Sequence, residues 1–383
     1  MGHYDLFNVL SSTEDTIRTL PEMIKNLAPE LRSYWLISCV DMNGLDLCTH
    51  FQVSREEVES SFAIDSGGYS SASGKVHISD MSPQKIAQIY TKERPLIGIG
   101  PDIPPVSDTK SEEAVDAIFR FNLDATKFRT AEMYATIGEQ KKKYIYDVVQ
   151  GRQGTSDQFN LKQREQWFTE ISEVSAGRNN GYALGGMGHP NFSVDAYFAL
   201  QPWSHRAKNC HLLGRGAIQL LPLLVYIGEH CYERLTSDCK TYTIEPLRFP
   251  KMFFQEPNTK ITSVAFVGKH HNDHGKNLSC TCSACKYFQE ELGTPLSELA
   301  EKTRRRDMMA TYSLQEWAVT HNVIVIQKYV NWLKELVRSE KHFLKFLKDS
   351  GYSNTLEAIK VVNKLLDSGR KKYANNISPL LNN

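Results

Sequence analysis

Apolar residues along this chain fall into two alternating patterns. Short β-branched or aromatic runs, ended by polar or glycine residues, predict strands at "YWLISCV" (34–40), "SFAID" (61–65), "PLIGIG" (95–100) and "YIYDVVQ" (144–150). The pattern continues through "GYALGG" (181–186), "CHLLGRG" (210–216), a weaker segment near 230–237, and "ITSVAFVG" (261–268). Between them, "SPQKIAQIYTK", "SEEAVDAIFRFNLDATKF" and "LKQREQWFTEISEVSA" repeat apolar residues at three- and four-residue spacing, which predicts helices. Eight strands alternating with helices indicate an α/β fold, a closed (β/α)8 TIM barrel, with an open doubly wound sheet as the alternative. No GxGxxG follows the first predicted strand, which weakens the dinucleotide-binding version of the open sheet. Beyond residue 290 the pattern is helical, with "WAVTHNVIVIQKYVNWLKELV" and "NTLEAIKVVNKLLDSG" clearly amphipathic.

Charge and composition narrow the picture only by exclusion. The 383 residues include 45 Lys plus Arg against 44 Asp plus Glu, so attraction to nucleic acid or a membrane surface would have to come from local patches. "MGHYDLFNVL" lacks the basic start and apolar run of a signal peptide, and "GAIQLLPLLVYIG" is too short to span a bilayer. A cytoplasmic protein is expected. Cys39, Cys48, Cys210, Cys231 and Cys239 are scattered among apolar or mixed segments and read as buried free thiols.

The other three cysteines crowd into "NLSCTCSACKYF". Cys280, Cys282 and Cys285 bring three thiolates within reach of one ion, and zinc takes four N or S ligands in tetrahedral array. A fourth ligand can come from the "KHHNDHG" loop (His270, His271, His274) or from His321 in "VTHNVIV". A closed, structural zinc site is expected, with three unrelated thiols as the bland alternative.

Chemistry in a barrel gathers at the C-terminal ends of the strands. Those ends carry Asp65, Asp102, Gln150, Gly185–Gly186, Leu213 and Asp238. Asp65 and Asp238 could divide nucleophilic and proton-transfer work at a glycosidic carbon. Asp102 and Gln150 could hydrogen-bond the edge of a planar heterocycle. Gly67–Gly68 and Gly185–Gly186 allow close backbone approach, and Tyr69 offers a face for stacking. Each has an ordinary reading as a cap or turn residue; their joint placement favours a site.

Five separated motifs then resemble the tRNA-guanine transglycosylase family and its DNA-modifying paralogues: "DSGG" with a following aromatic, "DIPP", "VQG", "GYALGG" with "LLGRG", and CxCxxC followed by "HN". The resemblance covers roughly residues 60–325. It implies a catalytic barrel (1–270), a zinc-binding subdomain after the last strand (271–325) and C-terminal helices that complete or pack on the barrel (326–383). It selects His321 as fourth zinc ligand, with His274 as rival. Carried over by motif, Asp238 would attack C1′ of a target nucleotide and expel guanine, and Asp65 would take the proton from the incoming base. Asp102, Gln150, Gly185 and Gly186 would read the purine-like edge, with Tyr69, Met187 and Leu213 packing its faces. Arg304, Arg305 and Arg306 would contact the nucleic acid backbone.

Departures from the family pattern bear on the substrate. No "PTR"-like segment follows Asp238, the archaeal type's extra C-terminal RNA-binding domain is not expected, and "GGMGHPN" lacks a glutamate suited to an aminomethyl base. These features favour DNA over tRNA, and 7-cyano-7-deazaguanine as the incoming 7-deazaguanine. A helicase or another DNA-modification protein is the kind of partner that opening a duplex calls for. A catalytically silent nucleic-acid-binding paralogue and a nucleoside hydrolase are the other classes.

Overall fold

Strands covered on both faces read mostly as near-continuous apolar runs, and eight strands, some of them interrupted by polar residues, close here into one parallel barrel. The computed structural model describes residues 2–12, 14–42, 44–68, 81–104, 112–138, 143–150, 157–185, 209–256, 258–266 and 280–372. In sequence order the barrel strands are β1 His3–Val9, β2 Tyr34–Ser38, β3 Phe62–Asp65, β4 Ile97–Ile99, β5 Ile145–Val149, β6 Gly181–Leu184, β7 Asn209–Leu212 and β8 Arg234–Cys239. Helices Pro83–Glu93, Glu112–Ile137, Asp157–Ser175 and Leu221–Cys231 join β3 to β4, β4 to β5, β5 to β6 and β7 to β8.

The expected α/β barrel is present, with a different strand inventory at its two ends. "HYDLFNV" supplies β1, although Asp5 and Asn8 interrupt its apolar run. "ITSVAFVG" is not a barrel strand: Thr262–Ala265 (β10) pairs antiparallel with Lys251–Phe254 (β9) as a separate hairpin. Because β8 pairs with β1, from His3↔Arg234 to Asn8↔Cys239, the barrel has no free edge for another strand.

Period-two alternation sorts the strand residues. Phe7, Leu36, Ala63, Ile99, Val148 and Ala183 form the apolar filling of the barrel. In β7 and β8 the same inward phase is polar: Ala183 lies opposite His211, His211 opposite Thr236, and Phe7 opposite Asp238. The outward residues feed two further cores. One packs Tyr4, Leu6, Leu184, Leu212 and Leu235 against the C-terminal helices, and the other joins Trp35, Ile37, Phe62 and Ile64 to the segment around Cys285. Full burial of such a side chain stabilises by about 1.5–3 kcal/mol.

Helix starts carry their own punctuation. Ser54 and Glu57 form a capping box on Arg55–Ser61, Ser82 caps Pro83–Glu93, and Asp307 caps the long Met308–Val337 helix. That helix runs through residue 325 without a break. It touches β9 as well as barrel strand β1 and the Leu221–Cys231 helix, so one long rod ties the β9–β10 hairpin to the barrel.

Asn322, wholly buried in this helix, clamps the hairpin: Phe253 N–H donates to its Oδ1 (2.9 Å) and its Nδ2 donates to Lys251 O (2.8 Å). Replacing it strands two backbone groups of β9. Asn322→Ala should therefore cost about 1–3 kcal/mol of unfolding free energy, measured by urea denaturation, while leaving the helical circular dichroism intact.

Candidate active site and metal centre

Strand ends deliver the polar residues to one mouth of the barrel. Asp65 is the last residue of β3, Asp238 lies one residue before the end of β8, and Gln150 and Gly185 immediately follow β5 and β6. Asp102 follows β4 by three residues, and its carboxylate accepts from Gln150 Nε2. Leu213 follows β7, with its N–H spent on Leu184 O and its side chain against the barrel filling. Tyr69, Gly186, Met187 and His274 lie outside the described residues.

Space explains the glycines. Gly67 has φ near 85°, which the turn after β3 requires, and its N–H donates to Asp65 Oδ2 at 3.1 Å. A Cβ on Gly68 would stand 2.1 Å from Asp102 Oδ1, and one on Gly185 would stand 2.5 Å from the Gln150 amide. These glycines are the walls against which the Asp102–Gln150 pair lies. Gln150 Oε1 and Ser66 Oγ, both buried here, have no hydrogen-bond partner among the described residues. An acceptor and a hydroxyl thus remain for a ligand with complementary groups on a flat edge.

Electrostatics separate the carboxyls. Burial pushes Asp65 up to about 6; the Gly67 N–H opposes this, the charge of Asp238 adds to it, and His211 counters in part. Burial also pushes Asp102 up to about 7, with the charge of Asp65 adding and the Gln150 bond and Arg129 opposing. A carboxyl near 6 can both give and take a proton near neutrality. Asp238 is instead held by donors: its Oδ1 accepts from Gly214 N–H (2.7 Å) and from His211 Nε2 (3.1 Å).

Several of these residues were not singled out in the sequence. His211 lies two positions before Leu213, so strand alternation alone gives both the same inward phase. Asn122, Thr126 and Arg129 form a stripe on the Glu112–Ile137 helix. Asn122 Nδ2 donates to Pro104 O, Thr126 Oγ1 accepts from Ile103 N–H, and Arg129 donates to Met81 O, so the helix holds the "DIP" turn. Their three- and four-residue spacing was a legible signal. Arg164, almost fully buried, donates to Gly185 O (3.1 Å); nothing local in the sequence marks it.

At the other cluster, donor atoms of Cys280, Cys282, Cys285 and His321 all lie within 4.8 Å of one another and can hold one metal ion. Cys282 caps the Ser283–Leu292 helix, its Sγ accepting from Cys285 N–H. His321 Nε2 donates to Phe253 O at 2.7 Å, which fixes the tautomer and leaves the Nδ1 lone pair facing Cys282 and Cys285 Sγ, each at 3.3 Å. Trp317 Nε1 donates to Cys285 Sγ. Three sulfurs and one oriented imidazole nitrogen suit a tetrahedral ion without an open position.

The arginine run closes the Leu296–Arg304 helix. Arg304 bonds Phe266 O and Glu301, and the exposed Arg305 pairs with the same Glu301, so one carboxylate offsets part of the positive charge. Arg306 adopts φ 66° just before the Asp307 cap. Among the described residues, no helix is long and apolar enough to cross a membrane. No protein-family model and no curated protein matches the chain.

Two outcomes follow from this geometry. Gly185→Ala should displace the Gln150 amide and weaken binding of a flat-edged probe, guanine being the one tried, at least about tenfold by calorimetry, with little change in melting temperature. The carboxyls with raised proton affinity, Asp65 and Asp102 at the mouth and Asp147 elsewhere at about 7, bind more protons folded than unfolded. Their contribution to stability should be complete below the ordinary value of 3.8 and be lost as pH climbs through about 6 to 7. Urea unfolding across that range should show a shallower decline in Asp65→Asn/Asp102→Asn.

Proposed function

We propose that this protein is a base-exchange transglycosylase that replaces guanine in DNA with a 7-deazaguanine, best matched by 7-cyano-7-deazaguanine. The observation that carries the reading is the pairing of Asp238, its carboxylate held by two donors, with Asp65, whose carboxyl sits near 6 at the same mouth. Support also comes from Asp102 and Gln150, which present a carboxylate and a partnerless amide oxygen as acceptors for N–H groups of a guanine-like edge. A base must leave its stack to enter such a mouth.

In this scheme an Asp238 oxygen attacks C1′ as the C1′–N9 bond of the target guanine breaks, giving an aspartyl ester. The departing guanine takes a proton from Asp65. Asp65, now a carboxylate, removes the N9 proton of the incoming base, whose nitrogen displaces the ester and restores the Asp238 carboxylate. Protons balance over the cycle, and neither a redox cofactor nor a nucleoside triphosphate enters it. A zinc ion held by Cys280, Cys282, Cys285 and His321 would be structural, since four protein donors would fill a tetrahedral ion and leave no open position. Arg304–Arg306 would lie along the polymer backbone, with Glu301 moderating their charge.

Preference for DNA over tRNA rests on the missing "PTR" segment and on the stretch "GGMGHPN". Incubation with labelled guanine and duplex DNA, single-stranded DNA or unmodified tRNA should leave label in DNA. Label in tRNA alone would reverse the substrate, and free guanine release without incorporation would indicate a hydrolase. Asp238→Ala should abolish exchange while retaining the fold. Metal analysis should give one zinc per chain, with Cys282→Ser losing both metal and solubility; a stable zinc-free protein would refute the assignment. Arg305→Ala should reduce the salt dependence of polymer binding by about one phosphate contact without changing affinity for the free base.

A further inference from the structure

Every oxygen of a nucleophilic carboxylate is chemically equivalent until its surroundings distinguish them. Around Asp238 they do. Oδ1 accepts from Gly214 N–H at 2.7 Å and faces His211 Nε2 at 3.1 Å, whereas no donor to Oδ2 is found among the described residues. A carboxylate only accepts, so Nε2 carries the hydrogen and donates. The ring is wholly buried, and the edge-on Phe7 ring, 5.8 Å away between centroids, limits its rotation.

Its second nitrogen is also accounted for. Nδ1 lies 2.8 Å from Thr236 Oγ1, and that hydroxyl is 3.3 Å from Cys210 O. Thr236 can donate to Nδ1 of a neutral ring, or turn to Cys210 O and accept from a charged one. Either way Nε2–H stays directed at Asp238. His211 of β7 is paired with Thr236 of β8, Cys210 precedes His211, and Asp238 follows Thr236 by two residues on the same face of β8, so the sheet ladder itself sets these distances.

We infer that His211 is the positioning residue of the reaction: with the Gly214 N–H it holds Oδ1 and leaves Oδ2 as the oxygen that attacks C1′. This rests on the transglycosylase reading and adds to it which oxygen reacts and what aims it. In the first half-reaction the new bond is C1′–Oδ2, and Oδ1 becomes the ester carbonyl, still bonded to both donors. In the second, the C1′–Oδ2 bond breaks, the electron pair returns to the carboxylate, and the same donors stabilise the restored charge. His211 gives up no proton in either step, which leaves proton transfer to Asp65.

The test compares His211→Phe, which keeps ring volume but has no donor, with His211→Gln, whose amide N–H reaches toward the Nε2 position. Steady-state guanine exchange is measured on the polymer the wild type modifies, alongside calorimetric guanine binding. His211→Phe should lower kcat about 10- to 100-fold with KM for guanine and its binding constant within about twofold of wild type, and His211→Gln should recover most of the loss. Thr236→Val, which removes the support of Nδ1 without touching Asp238, should cost less than His211→Phe; it decides the matter together with His211→Gln if the phenylalanine variant does not fold. Wild-type kcat in His211→Phe, or equal losses in the Phe and Gln variants, would overturn the role of His211 while the exchange reaction stands. A wild-type protein that incorporates guanine into no polymer would overturn the reaction itself, and this role with it.

Discussion

The pairing of β1 with β8 is the interaction on which the rest depends. Six consecutive residue pairs, His3↔Arg234 through Asn8↔Cys239, turn an open parallel sheet into a closed one and set the height of every strand relative to its neighbours. Slipping that register by one residue would exchange the inward and outward sets of a strand. Asp238 would then leave the mouth, and the Tyr4 hydroxyl would lose its 2.7 Å contact with Ser237. The identity of the mouth residues and the closure of the sheet are therefore one constraint.

Both ends of the barrel bury carboxylates, and the contrast between them separates architecture from chemistry. At the N-terminal end, burial would raise the proton affinity of Asp5. The His3 contact and the charges of Lys334 and Arg234 outweigh it and hold the carboxyl well below the usual range. That charge is fully compensated and does no more than fasten the barrel to the long helix. At the C-terminal end, Asp65 and Asp102 have nearby cations or donors too weak to offset burial and mutual repulsion, and both are pushed upward. Two raised carboxyls gathered at one mouth mark a candidate site, whereas Asp147, also raised by burial, accepts from the Tyr134 hydroxyl.

The Cys/His cluster, which could hold a metal ion, is positioned by the same long helix. His321 and Asn322 are adjacent, yet each clamps the β9–β10 hairpin from its own direction, one through Phe253 O and the other through Phe253 N–H and Lys251 O. The backbone of a two-stranded hairpin, marginal by itself, is thereby fastened to the barrel's largest helix. Arg304 adds a further bond, to Phe266 O just beyond β10.

Local pattern in the chain determined that strands and helices alternate, that the strands are buried, and that Asp65, Asp102, Gln150, Gly185 and Asp238 stand at strand ends. These are properties of neighbours in sequence, which periodicity and turn residues report directly. Tertiary structure alone decided which runs enter the barrel: Asp5 and Asn8 disguised β1, and the apolar "ITSVAFVG" found its partner in Lys251–Phe254. It also brought His321, which the motif resemblance singles out, to the cysteine cluster across 36 residues, and placed His211, Arg129 and Arg164, which no motif singles out, behind the mouth. Such contacts join residues on different strands and helices. Their energy comes from shared burial and from hydrogen bonds across the barrel, and no spacing along a single segment encodes them.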